Sequence, residues 1–547
     1  MSKPEISLSD RSVAGGTTRR SFLTWSALVG AAAFTPAMLS GPDAAAAPAA
    51  GSLGSAGSLG GGSSPFALGV ASGDPLPDSV ILWTRVTTDP LVPGGGVPPV
   101  PVPVDWEVAR DERFRDVVAR GSDVALPAAA HSVHVDVRGL EPWRRYFYRF
   151  RALGQVSPVG RTRTAPAAGA DVGAMAFAWA SCQAWYQGYY TAYADMAEQD
   201  LDVVFHLGDY IYEYDLPEDS VRPLGGLSPE VRRETTTLQD YRLRYGLFKS
   251  DEHLQSAHRA APWIHTIDDH EVDNNWASKI SQDEDADPRA FLERRAQAFR
   301  AWWEHTPTRV LPPSGPDMRL YRRYEYGNLA SFSVLDTRQY RSDQAHGDGQ
   351  HVQDRVTADA GRTITGGEQE QWILDGFDRS DARWNFLAHQ TVITDLPRIR
   401  DGKRKVSMDQ WGGYEASRHR ILDGARDRGV RNLVSMVGDI HRTTVSELRR
   451  DYRDDASPAV GVEMAGTSIA SGKDGEDSDK ANEEFLANNP AMKFGSAQRG
   501  YVLCELRPDR WQAQLKVTDK VTVPGRPVRT RATITVPDGK PEIDVRA

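Results

Sequence analysis

Five strand-length apolar runs in this chain each stop at residues able to bind a cation or carry a proton. Met175–Ala180 stops at Ser181-Cys182-Gln183, and Val203–Leu207 at Gly208-Asp209-Tyr210-Ile211-Tyr212-Glu213. Trp263–Ile267 stops at Asp268-Asp269-His270-Glu271, Trp384–Ala388 at His389-Gln390, and Asn432–Val437 at Gly438-Asp439-Ile440-His441. Runs this short read as buried strands. Amphipathic stretches of helix length lie among them, such as Pro288–Thr306, Gly367–Arg379 and Glu415–Arg428. Buried strands alternating with helices make a layered α/β domain. An open α/β sheet gathers whatever follows its strands along one carboxyl edge. The pattern predicts a single site built from loops far apart in the chain.

Taken singly, a Gly-Asp or Asp-His after a strand is an ordinary turn or helix cap. Together they are hard to explain by packing. Clustered buried carboxylates repel and raise each other's pKa unless cations neutralise them, so metal ions are the economical reading. Carboxylate, phenolate and thiolate donors suit a hard, highly charged ion such as Fe(III). The surplus oxygens of Asp209, Asp269 and Asp439 suit Ca²⁺ beside it. No second Cys lies near Cys182, so a structural zinc site does not fit. Neighbouring metals suit in-line displacement at phosphorus, where they acidify the attacking water and stabilise charge on the phosphoryl oxygens.

Two further regions have a different grammar. From 65 to 165, short strands between Pro/Gly turns (Ser79–Val86, Val102–Ala109, His131–Val137, Arg145–Ala152) predict a small immunoglobulin- or fibronectin-like β-sandwich. Nothing catalytic stands out in it. The layered domain is expected from 174 to 537, with Arg499–Val536 returning to strand-rich text. Ahead of both, residues 1–50 carry Thr18-Arg19-Arg20-Ser21-Phe22-Leu23, then a short apolar stretch broken by Pro36 and small residues suited to cleavage. These are the parts of a Tat-type signal, too short for a membrane anchor. Residues 51–64 form a Gly/Ser/Ala-rich linker. The expected mature protein is secreted, without a transmembrane segment, and its export partner is the Tat machinery. The formal net charge of −10 has no basic stripe set against it, which argues against specific nucleic-acid binding.

The two cysteines, Cys182 and Cys504, leave two readings open from spacing alone. They form a disulfide in an exported protein, or Cys182 is a thiolate ligand and Cys504 an inert core thiol. Arg338 and Arg341, after the run Ser331–Leu335, either grip a phosphate or bridge a loop. Tyr241-Arg242-Leu243-Arg244-Tyr245 reads as one helix face with solvated charge.

Ala180-Ser181-Cys182-Gln183, Gly208-Asp209-Tyr210-Ile211-Tyr212-Glu213, Asp268–Trp276, Leu335–Arg341 and Gly438-Asp439-Ile440-His441 together resemble the signatures of the PhoD-type alkaline phosphatase/phosphodiesterase family, within the calcineurin-like metallophosphoesterases. The resemblance runs from about Pro65 to Val536. It implies a metallophosphoesterase β-sandwich with flanking helices and a centre of Fe(III) with Ca²⁺. On these positions Cys182, Asp209, Tyr212 and Asp439 would hold iron. Asp209 would bridge to calcium, with Asp269, Asp439, His441 and Asn275 as further ligands, and Asp268, Asp269 and Asn275 are not separated as calcium ligands. His270 would protonate the leaving group or bind phosphate, and Arg338 is the second catalytic candidate. The implied activity is hydrolysis of phosphomonoesters or phosphodiesters by a metal-activated hydroxide. Three alternatives stand beside it: a phospholipase D acting on phospholipid head groups, a non-catalytic surface-binding protein, and a zinc or serine hydrolase.

Overall fold

The computed structural model describes residues 64–283 and 285–547. The expected export signal and all of the expected linker but Ser64 lie outside the described residues.

Two large sheets face each other. One has ten strands, in the order Asp544–Arg546, Val528–Pro537, Arg510–Thr518, Arg499–Arg507, Met175–Ala180, Val203–His206, Pro262–His265, Val70–Leu76, Ser79–Arg85 and Ser132–Arg138. The other has seven: Arg322–Tyr326, Ala330–Val334, Trp384–Ala388, Leu433–Val437, Ala459–Ala465, Thr443–Arg449 and Met492–Ser496. The central strands are parallel and buried along their whole length, as in Val203–His206 and Leu433–Val437. They read as unbroken apolar runs because both faces are covered. Arg510–Thr518, nearer an edge, alternates buried and half-buried residues, and its sequence Trp-Gln-Ala-Gln-Leu-Lys-Val alternates with it.

Aromatic rings fill the seam between the sheets. Phe332 stacks on Phe386 at 4.6 Å and meets Phe177 edge-on at 5.3 Å. The outer face of the larger sheet is covered by helices including Leu238–Lys249 and Pro288–His305, that of the smaller by Gly367–Arg379 and Glu415–Asp427. The result is a helix–sheet–sheet–helix stack. Phe332→Ala would empty the middle of the seam and should cost about 3–5 kcal/mol, read as a shift in the urea midpoint. Because the seam lies away from the loops, kcat of the remaining folded protein should hardly change.

The N-terminal sandwich is present but is not self-contained. Its core joins Val80, Leu82 and Val133 of one sheet to Val104, Val108, Tyr148 and Phe150 of a five-stranded one. The first of those sheets continues into the layered α/β domain, since Val70–Leu76 pairs in parallel with Pro262–His265 through Ser72↔Pro262 and Gly73↔Trp263. Gly73 sits where a Cβ would meet Pro307 O at 2.1 Å, so only glycine allows this approach. Among the described residues no helix is long and apolar enough to cross a membrane.

Candidate active site and metal centre

Asp209 stands at the centre of the loops. It follows Val203–His206 through Gly208, whose φ is +106° and whose Cβ, if present, would meet Asp268 Cβ at 2.4 Å. That contact brings the loop of the next strand against it. Glu271, fully buried, accepts from the backbone N–H of Asp209 (3.1 Å), Tyr210 (2.6 Å) and Asp268 (2.8 Å). On the other side the N–H of Cys182 donates to Gly208 O at 3.1 Å, and that of Gln183 to Asp209 O at 3.0 Å. The loops after three adjacent parallel strands are thus tied into one unit. Gly438, before Asp439, packs so close to Ser181 that a Cβ would lie 2.5 Å from its Oγ, which draws in the second sheet.

Three sets of donors, each within 4.8 Å of one another, result: Cys182, Asp209 and His441; Asp209, Asp269 and His270; Asp268, Asp269 and Asp439. Tyr212 joins the first set. Its hydroxyl donates to Asp209 Oδ2 at 2.9 Å, lies 3.1 Å from His441 Nε2 and accepts from Ser471 Oγ at 2.7 Å. Asn275 joins through its backbone, whose N–H donates to Asp269 Oδ2 at 2.8 Å, while its amide donates to Asp348 Oδ2 at 2.7 Å. Cys182, Asp209, Asn275, Asp439 and His441 all have positive φ, between 48° and 63°. Asp, Asn and His take this conformation more readily than other non-glycine residues, Cys seldom. Strain of this kind gathers where surrounding structure imposes a geometry for function.

The electrostatics call for cations. Asp209 Oδ1, Asp268 Oδ2 and Asp269 Oδ1 are buried without a hydrogen-bond partner among the described residues, although buried polar atoms normally have one. Burial and the neighbouring carboxylates push Asp209 well above the usual range. Burial also lifts Asp439 to about 6 and raises the Cys182 thiol and the Tyr212 phenol, both further raised by Asp209. Asp209, Cys182 and Tyr212 therefore hold their protons when nothing more highly charged is present, and a donor set of this kind fits a multivalent cation. His270 moves the other way. Against burial, Glu213 (Oε2 2.7 Å from Nδ1), Asp269 and Asp209 raise its pKa well above the ordinary imidazole value.

All seven expected metal ligands and His270 fall in this region. The two cysteines are not joined: Cys182 and Cys504 are free, and Cys504 is a core thiol that accepts from Trp511 Nε1 at 3.2 Å. Three expectations need amendment. His389 turns into the core, with Nε2 2.9 Å from Ser435 Oγ and its ring edge-on to Trp411, so it brings no donor to the site. Arg338 is fully buried and holds carboxylates instead of standing free for a phosphate. Its Nε donates to Asp268 Oδ1 (2.6 Å) and its Nη1 to Asp409 Oδ1 (2.8 Å), with Nη2 3.7 Å from Asp269. Arg341 likewise donates to Asp409 Oδ1 and to Thr337 O, both at 2.5 Å. Arg244, expected on a solvated face, is buried and donates to Tyr212 O, Tyr214 O and Arg233 O, pinning the loop that carries Tyr212.

Several functional groups carried no signal in the sequence. Asp409 and Gln410, which donates to Asp439 Oδ2, follow no strong apolar run. Ser471 follows Ala459–Ala465 in a stretch, residues 466–472, that carries no charged or metal-binding residue to mark it. Glu213 and Glu271 stood inside recognised motifs, but their task is to hold backbone and imidazole.

Comparison with known proteins gives a consistent result. Residues 177–515 match the PhoD-like phosphatase family, and residues 53–166 match the PhoD-like phosphatase N-terminal domain. Alkaline phosphatase D of Bacillus subtilis (strain 168) is 48% identical over 472 residues, covering 86% of this chain and 80% of the relative. A solved structure of PhoD superposes with a TM-score of 0.85 at 45% identity, covering 90% of this chain and 94% of that one.

Proposed function

The chain belongs to the PhoD-like phosphatase family, and from that premise we propose that it hydrolyses phosphoesters through a centre of Fe(III) and Ca²⁺ held by the loops around Asp209. That it is a phosphatase follows from the family, the 48% identical relative and the structural match. These do not favour a phospholipase D reading. The observation that carries the metal proposal is the set of buried carboxylate oxygens without hydrogen-bond partners, flanked by a thiol and a phenol.

In this reading Cys182, Asp209, Tyr212 and Asp439 would hold iron. Asp269, Asp439, His441 and Asn275 would serve calcium, with Asp209 shared between them. His441 also lies in the donor set with Cys182 and Asp209, which makes it a candidate for either ion. Such cations, when bound, supply Lewis-acid charge for the phosphoryl oxygens and acidify water. The rest belongs to the side chains. Glu213 fixes His270 through Nδ1 and stabilises the imidazolium, which leaves Nε2 free to carry a proton to the departing alkoxide oxygen. Arg338 neutralises and orients Asp268 and Asp409, and so acts as a positioning residue. Glu271 keeps the loops in register. The twin-arginine segment Thr18–Leu23 supports export, so the site of action proposed is outside the cytoplasmic membrane.

Elemental analysis of exported protein, paired with assays on a phosphomonoester and a phosphodiester, tests this. Iron and calcium should co-purify, and chelation should lower both activity and Tm. Zinc in place of iron, or full activity in Cys182→Ala, would sink the metal assignment. Export should fail when Arg19 and Arg20 are both replaced by Lys, read as cytoplasmic retention.

A further inference from the structure

Beside the metal-binding loops lies a cavity of about 230 Å³. It borders the site through two residues. Gln410 donates to Asp439 Oδ2, and Ile440 stands between Asp439 and His441. Val392, Leu396 and Ile440 form an apolar patch in its wall, and Phe485 adds an aromatic one. Three charged side chains line it, of which two are already engaged. Asp395 pairs with Arg418 (2.6 Å) and Arg404 (3.2 Å), and Arg442 pairs with both oxygens of Asp479 at 2.9 Å. Arg398 has no carboxylate partner among the described residues. Its guanidinium lies over Phe485 at 5.3 Å and is half-exposed. It opens the short hairpin Arg398–Arg400 and Lys403–Ser407, which also carries Arg400, Lys403, Arg404 and Lys405. Arg400 pairs with Glu484, Arg404 with Asp395 and Lys405 with Asp401, which leaves Arg398 and Lys403 as the hairpin's cations without a carboxylate partner among the described residues.

Resting on the phosphatase reading, we propose that this cavity is the subsite for the organic arm of the phosphoester. Leu396 and Ile440, backed by the buried Val392, seat a flat apolar group, and Arg398 reads a second negative charge on that arm. The substrate class is an ester whose arm combines a ring with an additional anion, as distinct from a small polar alcohol. A free guanidinium over an aromatic ring can pair an anion while stacking on the same apolar floor. Gln410, shared by the cavity and Asp439, would couple occupancy of the arm site to the centre.

The test is equilibrium binding of phosphonates to the metal-loaded protein, which reads the cavity without turnover. Methylphosphonate, phenylphosphonate and 4-carboxyphenylphosphonate would be compared by calorimetry. The expected order is carboxyphenyl tightest, phenyl next and methyl weakest, with about tenfold between the extremes or more. Arg398→Ala should remove the advantage of the carboxylate and spare phenylphosphonate, and Arg398→Lys should restore part of it. Leu396→Trp, which fills the cavity from a half-buried position, should weaken both aryl ligands and leave methylphosphonate unchanged. Equal affinity of the three in the unaltered protein, or the same ranking in all variants, would overturn the subsite. Hydrolysis of methyl phosphate, followed in parallel, reports separately on the phosphatase reading.

Discussion

Asp209→Asn should lower kcat/KM by about a thousandfold or more, a loss of about 4 kcal/mol of transition-state stabilisation, while the metal-free protein becomes more stable. The opposite signs follow from one arrangement. Asp209 belongs to two of the three donor sets, and its Oδ1 has no hydrogen-bond partner among the described residues. Its ionised form is disfavoured by burial and then by Asp269, Asp268 and Glu271. Removing the charge relieves that repulsion in the empty site and would deprive the proposed metal centre of the ligand its ions would share. Asn keeps the shape and accepts the left-handed backbone at φ +54°, so the loop should hold. Thermal melts with and without metal, beside metal content, read the two effects separately. A variant that keeps its metal and loses only rate would place Asp209 outside the ligand set. Asp269, which Arg338 and His270 hold low in spite of burial, should lack the gain in metal-free stability when changed to Asn.

How much of this was legible follows from range. Strand ends mark Cys182, Asp209, Asp269 and Asp439 because parallel strands buried on both faces must be apolar and must stop where polar chemistry begins. The same rule misleads at His389. A strand end faces either the site or the layer behind it, and a single run of apolar residues does not say which. Asp409 escapes because it reaches the cluster from an irregular turn, held by Arg338, Arg341 and Gln344. Arg244 departs from its expected exposure because helix amphipathicity ranks residues by type, whereas here three carbonyl oxygens take the charge indoors. The parallel pairing of Val70–Leu76 with Pro262–His265 joins residues nearly two hundred positions apart. No local pattern encodes such a partner. The sandwich's existence could be read from turn spacing, but its fusion to the catalytic sheet could not.

Arg338→Met should destabilise the protein by about 3–5 kcal/mol, the usual cost of leaving buried charges without their partner, and the loss should grow with pH. Arg338 is wholly buried and faces Asp268, Asp409, Asp269 and Asp439, at 2.6, 2.8, 3.7 and 4.0 Å. With Arg341 it holds Asp409 below its ordinary pKa, and it opposes the upward push of burial on Asp268 and Asp439. A carboxylate held low in the fold contributes stability above its unfolded pKa and loses it as pH falls through the folded value. Without Arg338, Asp409 forfeits part of that contribution. Asp268 and Asp439 rise further, so the folded variant binds more protons than the unfolded chain across the mildly acidic range. Stability of the variant therefore falls as pH rises through that range, and the gap to the unaltered protein should be wider at pH 8 than at pH 5. Arg338→Lys should recover little, because one ammonium cannot reach Asp268 and Asp409 in the forked geometry that guanidinium supplies. Bound cations would take over part of the neutralisation, so metal should narrow the gap at pH 8. Urea unfolding at the two pH values, in metal-free and metal-loaded protein, gives the four numbers required. A gap that is the same at both pH values would show that Arg338 acts through packing alone.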